Sequence, residues 1–459
     1  RNALPVINQT TPLNDSYIPD KSGKLEFWAQ ILDSDSDNIL LELYLGNQSN
    51  NLQYKANSTT SSITITDYEL NQTYYWKVKA SDGFETVESE VRQFVVFDSP
   101  TAIWSYATEN DVYSVAISAD GEYIVAGSED SKVYLFDKNS NTPLWSYEAG
   151  EGVWAVAISA DGEYIAMGSY DNKLYLFDKD SNTPIWSYET DSNVDAVSIS
   201  ADGAYIVAGS HDDNLYLFDK DSNTPLWSYT TGHNVVSVAI SADGEYIAAG
   251  SADEKVYLFD KDSSTPLWSR QTGATVFSVA ISADGEYITA GSENDKVYLF
   301  DKDNSTPLWS YTADSDVSSV AISADGEYIT AGSDEHKVYL FDKDSSTPLW
   351  SYTTSGDVNS VAISADGEYV TAGSDDNKVY LFDKDNSTPL WSYTTGDAAF
   401  ARSVAISANG EYVVAGSYDY KVYFLPRNKT DFDWSYDSGD VILSVSTSAD
   451  GEHIVAGSN

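Results

Sequence analysis

Polar and apolar positions alternate in short runs along nearly the whole chain, and from about residue 101 the same runs return in the same order. Residues 319–359 read SVAISADGEYITAGSDEHKVYLFDKDSSTPLWSYTTSGDVN. SVAIS alternates small and apolar side chains. EYITAGS follows Asp325-Gly326, a dipeptide suited to a tight hairpin turn. KVYLFD is β-branched and aromatic, as a strand packed on both faces should be. PLWSY follows the turn KDSST. The pattern predicts four short strands per unit and an all-β chain.

The tryptophan of the WS dipeptide measures the repeat. Trp104, Trp145, Trp186, Trp227, Trp268, Trp309, Trp350 and Trp391 are spaced by 41 residues, and Trp434 follows after 43. Four strands in ~40 residues, with a tryptophan in the last, is the pattern of a β-propeller blade, whereas solenoid coils are shorter. Pro143 and its counterparts Pro184, Pro225, Pro266, Pro307, Pro348 and Pro389 are expected to open the fourth, outer-edge strand, because proline cannot donate to a ladder. First-strand and fourth-strand runs each occur nine times and third-strand runs eight times, the last at Lys421–Leu425. Eight full blades follow, in a ring of eight or nine positions. A ladder left open exposes unpaired N–H and C=O groups. Residues 3–8 (ALPVIN) of a neighbouring subunit are expected to fill it, giving a homopolymer.

The segment LYLFDKDSNTPLWSY, residues 215–229, resembles the pyrroloquinoline-quinone-type propeller repeat, and SVAISADGEYIVAGS, residues 114–128, resembles WD-repeat-type propellers and those of archaeal surface-layer proteins. The resemblance covers residues from about 101 to 459, within a propeller domain expected at 99–459 after a first domain at 1–98. It implies a tryptophan-docking motif in which each of the nine tryptophans packs against the next blade, a contact whose truncation costs ~3–5 kcal/mol. It does not carry quinoprotein activity with it. Such enzymes hold quinone and Ca²⁺ with unrepeated residues and many use an adjacent cysteine pair, and this chain has no cysteine.

Residues 1–98 lack the repeat. Their strand-like runs, broken by Asp, Asn and Gly, predict a small antiparallel sandwich with Trp28 and Trp76 in its core. YELNQTYYWKVKASDG, residues 68–83, resembles a strand of fibronectin type III-like domains, which implies a spacer or adhesion module. Asp33, Asp35 and Asp37 in DSDSDN could offer carboxylates to Ca²⁺; a solvated polar turn is the alternative.

Composition narrows the partners. Net charge is −47, from 72 acidic and 25 basic residues. That excludes nucleic acid, whose phosphates need clustered Lys and Arg, and it suits a salty exterior where cations screen repulsion. No apolar run approaches the ~20 residues that span a bilayer. The chain begins without an initiator methionine or a signal-peptide pattern, as a processed or trimmed form would. Asn8, Asn14, Asn47, Asn57, Asn71, Asn304, Asn386 and Asn428 each start an Asn-X-Ser/Thr sequon. With the acidity, they predict a glycosylated protein outside the cell or on its surface.

Catalysis needs convergent groups that differ from the repeat. The four histidines, His211, His233, His336 and His453, fall in different units without metal-ligand spacing, so no enzyme and no certain cofactor is expected. Variation concentrates in the connections between blades and between second and third strands. Tyr113, Trp154, Tyr170, Phe277, Tyr418 and Tyr420 there are candidates for binding protein or sugar; drift after duplication is the other explanation. The expected function is a non-enzymatic surface protein for structure or adhesion, self-assembling into a filament, sheath or layer. A monomeric carbohydrate- or protein-binding propeller is the alternative.

Overall fold

Each repeat folds as its pattern predicts. In blade 1, VYSVAI becomes β10 (Val112–Ile117), YIVAGS β11 (Tyr123–Ser128), KVYLFD β12 (Lys132–Asp137) and WSYE β13 (Trp145–Glu148), antiparallel in that order. The computed structural model describes residues 6–11, 16–20, 25–32, 39–60, 62–65, 72–82, 86–98, 105–395, 401–427 and 434–459. The chain divides into two units, Arg1–Thr101 with Asn428–Trp434, and Ala102–Arg427 with Ser435–Asn459.

In the first unit, β1 (Val6–Thr11), β3 (Leu25–Leu32) and β6 (Ser62–Ile65) form one sheet. The other contains β2 (Ser16–Asp20), β9 (Arg92–Asp98), β7 (Gln72–Ser81), β4 (Leu40–Gly46) and β5 (Gln53–Ser58), with β8 (Thr86–Glu88) beside β7. Alternation in β4 turns Leu41, Leu43 and Leu45 inward, where they meet Phe27, Ile63, Trp76 and Val78 from both sheets. Phe27 and Trp76 pack edge to face at 5.0 Å. Residues 6–11 pair with β3 of their own chain. Of the ALPVIN segment, Val6 and Ile7 pair with Leu32 and Ile31 of that strand, and β1 is an edge of its sheet.

In the second unit, eight four-stranded sheets follow one another: blade 1 and then residues 153–189, 194–230, 235–271, 276–312, 317–353, 358–394 and 401–437 as blades 2 to 8. The strands β42 (Ile442–Thr447) and β43 (Ile454–Ser458) form a ninth sheet. First strands touch first strands, so they form the inner ring. β10 packs on the first strand of blade 2 and on β42, and the circle is complete with nine positions.

Backbone bonds trace the closure. The Ala119 N–H donates to Ala160 O, Ala160 to Ala201, and so on through Ala242, Ala283, Ala324, Ala365, Ala408 and Ala449, whose N–H returns to Ala119 O at 3.1 Å. The SADG turn makes this possible. Asp120 accepts from Ser118 Oγ at 2.6 Å and from the Glu122 N–H at 3.0 Å, locking the hairpin. Glycine at its corner has φ +74°, and a Cβ on Gly162 would lie 2.5 Å from the Tyr123 ring of the preceding blade. His453 takes the tyrosine's place against Gly121 and joins blade 9 to blade 1.

The third strand is the buried middle of each blade. Val133, Tyr134, Leu135 and Phe136 are all at most 3% exposed. The Tyr134 hydroxyl donates to Asp130 at 2.7 Å, and Tyr175, Tyr216 and Tyr257 do the same to Asp171, Asp212 and Asp253. Tryptophan ties blade to blade: Trp145 Nε1 donates to the Lys179 carbonyl at 2.7 Å, and Trp186, Trp227, Trp268, Trp309, Trp350 and Trp391 repeat the bond. The fourth strand begins at tryptophan, not at proline as expected. Pro143 lies in the preceding turn, and Leu144 N–H is the first to bond back, to Leu135 O at 2.8 Å. Among the described residues no helix is long and apolar enough to cross a membrane.

Candidate binding face on the inner-strand bulges

Every first strand breaks register at its second residue. β10 pairs Val112 with Ser128 but Ser114 with Gly127, so Tyr113 is the extra residue of a bulge. The same break occurs in blades 2 to 9 between Val153/Ala155, Val194/Ala196, Val235/Ser237, Val276/Ser278, Val317/Ser319, Val358/Ser360, Ala401/Ser403 and Ile442/Ser444. A bulge re-aims the side chain it carries. Its nine occupants are Tyr113, Trp154, Asp195, Val236, Phe277, Ser318, Asn359, Arg402 and Leu443. The flanking residues scarcely change from blade to blade, and the bulge residue is different in every one.

In blades 2, 3, 6, 7 and 8 the bulge residue contacts the residue sixteen further on, the first of the turn after the second strand. Backbone bonds hold that turn: Glu129 N–H donates to Asp111 O, Tyr170 to Gly152 O and His211 to Asn193 O. The facing pairs are chemically distinct. Trp154 stacks on Tyr170 with ring centroids 4.5 Å apart at 16°. Asp195 pairs with His211, Ser318 Oγ donates to Asp334 at 2.6 Å, Asn359 donates to Asp375, and Arg402 donates to the Tyr418 hydroxyl, its guanidinium 5.8 Å from that ring.

Blades 1 to 3 join into a patch. Tyr113 packs on Trp154 across the blade boundary with centroids 3.9 Å apart, and Trp154 continues to Tyr170. Burial, with Glu129 and Asp111 nearby, raises the Tyr113 hydroxyl pKa above the usual phenol value. Burial beside Asp195 does the same for Tyr170. Burial also pushes the Asp195 carboxyl up, against the pull of His211, and its Oδ1 has no hydrogen-bond partner. The patch therefore offers aromatic edges and two protonated hydroxyls to a ligand, with the Asp195 carboxyl buried beneath them. Across the ring Phe277 stands 41% exposed. On blades 5 and 6 burial, then Asp334, Asp295 and Glu293, raise the Asp316 carboxyl.

Of the aromatic candidates, Tyr113, Trp154 and Tyr170 converge, Phe277 and Tyr418 belong to the same bulge system, and Tyr420 does not. It occupies the left-handed corner of its turn, φ +71°. Sequence reasoning missed Asp195, Val236, Ser318, Asn359, Arg402 and Leu443 because it began the first strand at Ser114, two residues late. The detectable signal was one variable column between a near-constant Val and a near-constant Ser or Ala. Asp33, Asp35, Asp37, Asn14, Asn71, Asn428 and Trp104 lie outside the described residues, and Asn8 and Trp434 are described in backbone only. Asn47, Asn57, Asn304 and Asn386 are exposed. Among the described residues no group of three or more His, Asp or Glu is placed to hold a metal ion.

A family model described as the IFT122 first beta-propeller matches residues 106–342, more than half of the chain. The chain belongs to this propeller family. A model described as outer membrane protein assembly factor BamB matches residues 293–441, so repeats of both WD-like and PQQ-like kind are present. The chain is also similar to the crystal structure of the computationally designed Ika8 protein, at 15% identity and TM-score 0.58, over 70% of this chain and 98% of that one. That likeness is one of fold. No curated protein matches the sequence.

Proposed function

We propose that this protein is a non-enzymatic, glycosylated component of the cell surface that adheres and assembles through its propeller, with the nine inner-strand bulges as its contact face. The observation that carries this reading is the bulge column. A near-invariant ring presents nine different side chains at one inner-strand position, five of them with a distinct turn partner. Fixed geometry with variable tips serves recognition, because affinity concentrates in a few aromatic and charged groups on a rigid support. The Tyr113–Trp154–Tyr170 patch suits a saccharide or a protein loop: aromatic edges cover apolar surface while the tyrosine hydroxyls bond to polar groups.

Location rests on charge and on the sequons. A net charge of −47 favours a hydrated, saline exterior. Asn304 and Asn386 occupy exposed turns in which their Oδ1 accepts from Thr306 and Thr388 N–H at 2.8 Å. The first unit, read as fibronectin type III-like, would serve as a spacer.

The test is a glycan array and a cell-adhesion assay on the wild type and on Trp154→Ala/Phe277→Ala. Binding should fall at least tenfold while the melting temperature holds within a few degrees, because both side chains sit on bulge tips. Undiminished binding by a folded variant would overturn the assignment of the face. Turnover of a bound ligand would overturn the non-enzymatic reading.

A further inference from the structure

Serine joins the inner strands of neighbouring blades. In blade 1 Ser114 follows the bulge, and its Oγ accepts from the Val156 N–H of blade 2 at 3.2 Å. Six further junctions repeat the bond at 3.1–3.3 Å, among them Val115 to Ser444, which closes the circle. The first strand is the last of its sheet. This valine N–H, turned away from the second strand, therefore faces the axis of the ring.

Two junctions lack the bond, and they adjoin. Blades 2 and 3 carry Ala155 and Ala196 where the other blades carry serine. The next valines, Val197 and Val238, keep the register of the bonded ones, opposite Ala208 and Ala249, but alanine offers their N–H groups no oxygen. Burial changes at the same two places. The bonded valines are at most 8% exposed, whereas Val197 and Val238 alone are not fully buried. The first strand of blade 3, Val194–Ile199, concentrates the change. Ala196 replaces serine there, Val197 is one of the two unbonded donors, and Ser198 stands where seven blades have alanine.

The bonded junctions define what fits the other two: a hydroxyl oxygen that accepts from valine N–H. In an antiparallel strand the N–H and C=O of one residue lie on the same edge, so Val197 and Val238 each turn a carbonyl to the axis as well. A hydroxyl can accept from the one and donate to the other, whereas a carboxylate only accepts. Charge points the same way. Net charge is −47 and Asp195 lies two residues before Val197, so an anion is repelled.

We propose that the channel wall of blades 3 and 4 is a binding site for a neutral saccharide, two of whose hydroxyl groups take the places that serine hydroxyls fill at the other junctions. Ser198 adds a protein hydroxyl on the same strand. The proposal rests on the contact-face reading and names its ligand class: the bulge residues Trp154 and Asp195 directly precede Ala155 and Ala196, so one ligand can reach both.

The experiment titrates the 459-residue chain with mannotriose, cellotriose and N-acetylchitotriose, and with a trimer of glucuronate as the anionic comparison. Calorimetry should give saturable binding of at least one neutral trisaccharide, at least tenfold tighter than that of the glucuronate trimer. In spectra of isotope-labelled valine, the Val197 and Val238 amide signals should move on binding, and those of Val320 and Val361 should not. Ala155→Ser with Ala196→Ser should keep or raise the melting temperature, because serine completes the junctions as elsewhere, and should lower saccharide affinity at least tenfold. No saturable binding of any neutral trisaccharide, tighter binding of the glucuronate trimer, or undiminished binding by the serine variant would overturn the proposal. Loss of binding in Trp154→Ala/Phe277→Ala but not in the serine variant would overturn this site and leave the contact face standing. Loss in the serine variant alone would support this site and overturn the bulge tips as the contact.

Discussion

Tyr216 shows how much one side chain does in this repeat. It is 6% exposed, and its hydroxyl donates to Asp212 at 2.7 Å. Phenylalanine there would leave the turn carboxylate short of a donor, so Tyr216→Phe should cost about 1–3 kcal/mol, read as a lower urea midpoint. The same bond has a consequence for pH. Burial first, and the adjoining carboxylate second, raise the pKa of Tyr134, Tyr175, Tyr216, Tyr257, Tyr339 and Tyr380 far above the phenol value of 10.0. Folded tyrosine keeps its proton where unfolded tyrosine loses it. The stability this contributes is complete below pH ~10 and is lost as pH rises above it, by about 1.4 kcal/mol per pH unit for each tyrosine. Urea midpoints at pH 9 and pH 11 should therefore differ sharply; equal midpoints would show that these hydroxyls ionise freely in the fold.

At the scale of the element, the SADG hairpin is both a turn and a joint between blades. Gly244 has φ +76°, and a Cβ there would lie 2.5 Å from the Tyr205 ring of the preceding blade. Gly273 also has positive φ, +107°, with nothing within 4 Å of the added carbon. Alanine at Gly273 isolates the backbone cost, about 1–2 kcal/mol. Alanine at Gly244 adds displacement of an interblade aromatic ring, so its melting temperature should fall clearly further. Equal losses would mean that the tyrosine moves aside freely. The bulge is the second such device. Pairing is forced on both sides of it, by Val112 with Ser128 and Ser114 with Gly127, so the residue between can change without disturbing the ladder. That freedom explains how nine different side chains occur in a repeat whose other inner-strand positions hardly vary.

For the whole molecule, charge and closure dominate. Exposed ion pairs such as Lys179–Asp180, 3.0 Å apart, each contribute ~0–1 kcal/mol and weaken in salt. Against them stands the mutual repulsion of a net charge of −47, which salt also screens. The excess of acid over base is too large for the pairs to offset, so the urea midpoint should rise as NaCl increases from ~0.05 to ~1 M. A falling midpoint would show that the pairs outweigh the repulsion. Closure acts against local opening: the Ala449 N–H to Ala119 O bond and His453 under Gly121 make the last repeat a neighbour of the first.

Fold class, the four strands of each blade and the tryptophan between blades were determined by local pattern, because strand alternation, Asp-Gly turns and a 41-residue period depend only on near neighbours in the chain. The sequence also pointed to Tyr113, Trp154, Tyr170 and Phe277 by their contrast with the repeat. Two things needed tertiary structure. Nine positions rather than eight follow from the angle at which each blade packs on the next, which no single repeat encodes. The bulge depends on register between two strands, so Asp195 and Arg402 looked like ordinary loop residues until pairing showed that they occupy the same site as Trp154. Each of these is a relation between distant segments, fixed by packing and not by composition or period.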